Sequence, residues 1–159
     1  MIDLQHTNWT DPEMVQWCQY LLDSYAHWVK QELIVRTGTP LEQAERLFNS
    51  AFVVASHGTE DDPVLNYGNQ AALDLWAMNW QQFTQTPSRL TAEPGKREER
   101  SRMLEQVKKQ GYIADYRGIR ISSTGQHFLA DPILIWNIHK PDGTIGGQGA
   151  TFSVWKYLV

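Results

Sequence analysis

Apolar and polar positions change their rhythm twice along these 159 residues. Between residues 11 and 34, Met14, Cys18, Leu21, Tyr25 and Trp28 recur every three or four positions, with Val15, Leu22 and Val29 beside them. That period predicts a helix with a broad apolar face. Thr10-Asp11-Pro12-Glu13 supplies its start signals and Thr37-Gly38 its end. Thr39 and Glu42 have capping-box spacing, and Leu41, Ala44, Leu47 and Phe48 predict a short second helix.

The rhythm then shortens. AFVVASHG (51–58) reads as a strand closed by a polar turn, and PVLNYGN (63–69) as a second one. Asn69 is placed to cap a helix whose Ala72, Leu75 and Trp76 share a face. After a loop comes a charged helix, with Pro94 near its start, a narrow stripe of Met103, Leu104 and Val107, and Gly111 at its end. Three strand-like runs follow at 112–122, 126–139 and 144–158. Asp142-Gly143 between the last two is a hairpin signal. The predicted organisation is a helical extension over 1–50 and an α+β core over 51–159, one domain overall.

Composition changes this picture little. The 42% hydrophobic and 20% charged content is that of an ordinary globular chain. No apolar run nears the roughly 20 residues of a membrane span, and the polar N-terminus does not read as a signal peptide, so a cytoplasmic protein without membrane contact is expected. Cys18, the single cysteine, sits on the apolar stripe and reads as a buried hydrophobe.

Charge matters more. The net charge is −4, yet residues 89–120 hold nine basic and five acidic groups. Glu93, Glu98 and Glu99 could form a catalytic carboxylate pair, but Glu93–Arg97 and Glu98–Arg102 have the spacing of helical ion pairs. Neighbouring cations keep a carboxylate ionised, which is wrong for a general acid. A solvated helix face is therefore expected, with no catalytic residues. Arg89, in the irregular Pro87-Ser88-Arg89 turn, is assigned a structural pairing with Glu93 ahead of a ligand contact. Nucleic acid is not expected as a partner, because the run lacks interleaved aromatics and the chain is acidic overall. The five histidines form no ligand pair with one another or with Cys18, so no metal site is expected.

Strand-strand, helical middle and three-strand meander is the element order of PAS domains. The set DPVLNYGNQAALDLW, PSRLTAEPGKREER, DYRGIRISSTGQHF, IWNI and GGQGATFSVW resembles, more narrowly, the MEKHLA domain, a PAS-related module. The likeness runs from about residue 12 to 157 and is to the free-standing bacterial form. It implies a five-stranded antiparallel sheet with short covering helices, preceded here by the helical extension. It also implies sensing of a small molecule, light or redox state, without supplying the ligand. Covalent flavin photochemistry is not expected, since it needs a reactive cysteine on a central helix. Noncovalent flavin, and haem with His57 or His139 as axial ligand, are left open as cofactors.

In such a sheet, alternate strand residues face a cavity. Leu134, Trp136 and Ile138 are assigned to one face with Phe128, and Tyr116, Gln148 and Trp155 to the lining, with Trp76 projecting from the covering helix. Together with Arg89 these form the expected ligand site: Trp76, Arg89, Tyr116, Leu134, Trp136, Gln148 and Trp155. A small ligand, anionic or aromatic, suits it; a protein-interaction or dimerisation module with a core filled by the same side chains is the competing expectation, and an enzyme using the cavity a less favoured one. Gly146, Gly147 and Gly149 permit close approach to the strand. The N-terminal stripe is expected to pack on its own sheet or on a second copy, with a homodimer favoured by analogy to PAS flanking helices.

Overall fold

The computed structural model describes residues 8–92 and 97–159. After a 3-10 turn at Asn8–Thr10 come α1 (Pro12–Val29) and α2 (Pro40–Phe48), then β1 (Val53–His57) and β2 (Leu65–Gly68). Next are α3 (Gln70–Trp76), α4 (Trp80–Phe83), a 3-10 turn at Ser88–Thr91 and α5 (Arg97–Gln110). Four strands close the chain: β3 (Tyr112–Ile121), β4 (His127–His139), β5 (Ile145–Phe152) and β6 (Trp155–Tyr157). The sheet is antiparallel in the order β2-β1-β5-β4-β3, and β6 pairs with the start of β4. The sixth strand arises because the run 144–158 bends at Ser153-Val154, so its end re-pairs beside Phe128–Ala130.

Local chemistry sets most boundaries as expected. Thr39 and Glu42 form the reciprocal capping box of α2, and the Asn69 side chain caps α3 through the Ala72 amide. The first helix ends sooner than its apolar rhythm suggests, at Val29, with Lys30 in the left-handed conformation (φ 65°). Arg36 holds the irregular connection that follows by donating to Gln19, Asp23, Glu32 and Gln43. The short α4 carries an Asn79–Gln82 capping box inside the segment expected to be loop. No described helix is long and apolar enough to cross a membrane.

Both faces of the sheet are covered. On the outer face lies α1, with Cys18, Leu21 and Leu22 fully buried. Its stripe packs on the chain's own sheet. Four polar contacts fix it there: Trp17 Nε1 donates to Ser56 Oγ, Trp136 Nε1 to the Leu21 carbonyl, Trp28 Nε1 to the Asn137 carbonyl, and the His139 amide to Ser24 Oγ. The strand glycines serve this face. A Cβ at Gly149 would stand 2.7 Å from the Trp136 ring, and one at Gly147 would meet both the Trp17 ring and the His57 carbonyl oxygen. Two bare positions thus let indoles lie flat on β5. The inner face is covered by α3, α4 and α5, with Trp76 touching Phe83, Phe128 and Phe152 edge-on.

Asn69 ties the two halves together. It is fully buried. Its Oδ1 accepts from the Val54 and Ala72 amides, and its Nδ2 donates to the Leu47 and Phe52 carbonyls and to Ser50 Oγ. One amide therefore joins the end of α2, β1 and the start of α3. Asn69→Ala strands buried donors and acceptors and is expected to lower unfolding free energy by roughly 3–5 kcal/mol. Asn69→Asp should fare no better, because a carboxylate cannot donate to Leu47 and Phe52. Urea denaturation of the two variants checks this, and an isostable Asp variant would refute the donor argument.

Candidate functional site

The inner layer is neither solid nor spacious. A cavity of about 70 Å³ lies between α5 and the inner face of β1, β3, β4 and β5. Its walls are mainly apolar, with Leu65, Phe83, Met103, Ile133, Ile135 and Phe152 contributing, and its polar groups cluster at one end.

The strongest of these groups is Arg100. It continues the α5 stripe of Met103, Leu104 and Val107 one turn toward the N-terminus, so a cation occupies what helical spacing makes a core position. It is only 8% exposed, and its Nη2 donates to Ser88 Oγ at 2.7 Å. Arg120 reaches the same cavity from β3. Its guanidinium carbon lies 5.7 Å over the Tyr116 ring, and its Nη1 donates to the adjacent Ile119 carbonyl. Gly118 makes room for this pose, since a Cβ there would stand 2.7 Å from Arg120 Nη1. Burial lowers both arginine pKa values from their ordinary value, and Arg120 adds repulsion at Arg100. Among the described residues neither guanidinium has a carboxylate within ion-pairing distance.

Three further groups complete the polar end. Asn137 Nδ2 donates to the Val107 carbonyl, and its Oδ1 then accepts from Gln148 Nε2. That relay fixes the Gln148 amide and leaves its buried Oε1 without a donor. Trp76 Nε1, also buried, has no acceptor. His57, facing Gln148 across the β1–β5 ladder, meets the Gly58 carbonyl through Nδ1 at 2.8 Å, which leaves Nε2 as an acceptor.

The residues expected from sequence separate into two groups. Trp76 and Gln148 line the cavity. Tyr116 shares its side of the sheet but lies under the Arg120 guanidinium rather than in the wall. Trp136, together with Leu134 and Ile138, faces α1 instead. The reason is a bulge: Tyr116 opposes Ile133 while Gly118 opposes Ala130, so β4 gains one residue at Asp131-Pro132 and its facing inverts. Phe128, before the bulge, therefore looks inward and Trp136, beyond it, outward. Trp155 belongs to β6 and packs on Phe152 at the sheet's end. Arg89 is 44% exposed and meets both carboxylate oxygens of Asp62 at 3.1 Å, so its observed partner is across the 59–63 turn. Glu93, its expected partner, lies outside the described residues, as do Pro94 and the side chain of Arg97. The expected Glu98–Arg102 pair does not close to ion-pairing distance, and Glu98 and Glu99 are exposed. Arg100, Arg120 and Ser88 line the cavity without having been expected there, and His57, expected only as a haem ligand, lines it too; continuation of the α5 stripe through residue 100 is the signal that marks the first.

With the geometry in hand, the class of protein is clear: the fold is that of PAS domains. It is similar to the PAS domain of a protein from Colwellia psychrerythraea (TM-score 0.62, 14% identity, covering 71% of this chain and 94% of that one). An RNA-binding Light-Oxygen-Voltage receptor superposes with TM-score 0.59 at 13% identity over 79% of this chain and 34% of that one. A Light-Oxygen-Voltage domain studied with a flavin analogue gives 0.58 at 11% over 74% and 85%. Residues 15–157 match the MEKHLA domain, and the chain belongs to that family. No curated protein matches it.

The Light-Oxygen-Voltage likeness makes flavin the group to test for fit. The cavity offers the volume of about five to seven waters, which does not take an isoalloxazine or a haem without displacing its walls. Cys18 lies under α1 on the opposite face, fully buried, and burial pushes its thiol up to about 12, partly offset by the Tyr67 hydroxyl. His139 also lies away from the cavity, against Trp28. The residues present therefore fit neither cofactor. Among the described residues no group of three or more His, Cys, Asp or Glu is placed to hold a metal ion.

Burial holds the His57 pKa below its usual 6.5; the Gly58 carbonyl opposes this shift and Arg100 reinforces it. The unfolded chain then takes up a proton first as pH falls. Stability owed to neutral His57 is present above pH 6.5 and is lost as pH falls toward the folded value. Between pH 7 and 5 the wild type should lose more unfolding free energy than His57→Gln. Parallel stability–pH curves for the two proteins would rule this out.

Proposed function

We propose that this MEKHLA-family chain is a sensory or regulatory domain that takes a small molecule into the inner cavity. It signals occupancy through protein–protein contacts. One observation carries the reading: Trp76 and Gln148 line the cavity, and among the described residues their buried Nε1 and Oε1 have no hydrogen-bond partner. Each unmet buried group costs about 1–3 kcal/mol, and native folds keep few of them. A ligand supplying one acceptor and one donor removes both penalties. The PAS-like fold supports the reading as analogy only. A homodimer through α1 belongs to the same proposal, and light scattering tests it.

The cavity itself is tested by filling it. Ala150 lies on its floor in β5, between Gln148 and Phe152. Native mass spectrometry of the purified chain should show a small bound species that Ala150→Leu abolishes while the variant stays folded. A bare wild-type spectrum, together with a melting temperature raised by Ala150→Leu, would instead identify an interaction module whose core is merely underpacked.

A further inference from the structure

We propose that the cavity recognises a small hydroxycarboxylate, its anionic head between Arg100 and Arg120 and its hydroxyl donating to Gln148. This rests on the reading of the cavity as a ligand site.

The first argument is charge. Two guanidiniums enter one small, mainly apolar cavity whose described lining contains no carboxylate. Arg100 is buried and Arg120 half-buried, and cations so placed, with no carboxylate partner among the described residues, are costly unless an anion joins them. Asp62 and Glu99 act on these arginines only at a distance, and Asp62 is held by Arg89. Burial already biases both arginines against their charged forms, and an anion reverses that bias. Ser88 adds to the same end: its buried Oγ accepts from Arg100, so its own proton is free to point at an anion.

The second argument is the opposite polarity a few residues away. Gln148 Oε1 is an acceptor by constraint, because the Val107–Asn137–Gln148 relay consumes its amide protons' side. His57 Nε2 is an acceptor on the facing strand. A simple anion satisfies neither. A cationic donor is disfavoured beside two arginines, which leaves a neutral hydroxyl. Trp76 Nε1 then finds its acceptor in the same oxygen or in the carboxylate. The remaining wall is apolar and short, from Leu65 and Phe83 to Ile135, and admits a tail of a few carbons. Inorganic phosphate lacks that tail, and larger acids exceed the volume.

The test uses the full chain and a panel of acetate, propionate, butyrate, lactate and 2-hydroxybutyrate, with 2-hydroxybutyramide and inorganic phosphate as controls. Calorimetry should rank 2-hydroxybutyrate above butyrate and show no binding of the neutral amide. Arg100→Gln and Arg120→Gln should each weaken binding at least tenfold, with Arg120→Lys retaining part of it. Gln148→Leu should reduce the ratio of 2-hydroxybutyrate to butyrate affinity to below twofold. The acid–amide comparison on the wild type needs no variant to fold. If the amide binds as well as the acid, or no carboxylate binds although native mass spectrometry shows a bound species, the anionic assignment is overturned and the cavity reading stands. If nothing binds and the native spectrum is bare, both fall together.

Discussion

A single buried amide carries the architecture. The Asn69 side chain has one acceptor and two protons, and the chain brings it two amides, two carbonyls and a hydroxyl from α2, β1 and α3. Its backbone continues the pattern, donating to Val54 and accepting from Leu73. The switch from sheet to covering helix therefore occurs where no water can compensate a lost bond. Everything that roofs the cavity, Trp76 first, follows in sequence from that cap. Packing supplies most of the favourable energy, but this polar node fixes which way the roof is laid.

The sheet beneath that roof is used on both sides, and its residues are divided accordingly. Flat indoles and bare glycine positions mate β4 and β5 to α1. Smaller aliphatic groups, two arginines and an amide relay face the other way. A sheet with one solvated face would show plain alternation. Here both faces are apolar, so hydropathy alone does not distinguish cavity from helix contact.

That explains which parts of the molecule were legible in its sequence. Thr39–Glu42, Asn69 and Asp142-Gly143 are local signals, with side chains that act within a few residues, and the structure contains the elements they mark. The α5 stripe is local too, and extended by one turn it points to Arg100. The facing of Trp136 was not legible, because it depends on a bulge at Asp131-Pro132 that shows only when β3 is laid beside β4. Arg120 is similar: its place over Tyr116 depends on the missing Cβ of Gly118. Strand alternation points to Leu134, Trp136 and Trp155, whereas the cavity's polar end is made by charged and small residues.

The position of Asn137 has a mechanical consequence. Its amide belongs to the relay that ends at Gln148, while its own carbonyl receives the Trp28 indole proton. Interior and back cover are thus separated by the thickness of one peptide unit. No layer intervenes between β4 and α1 at that point, so the two elements share one hydrogen bond across the peptide. The sheet is a partition one peptide thick, with the amide relay on one side and the N-terminal helix on the other.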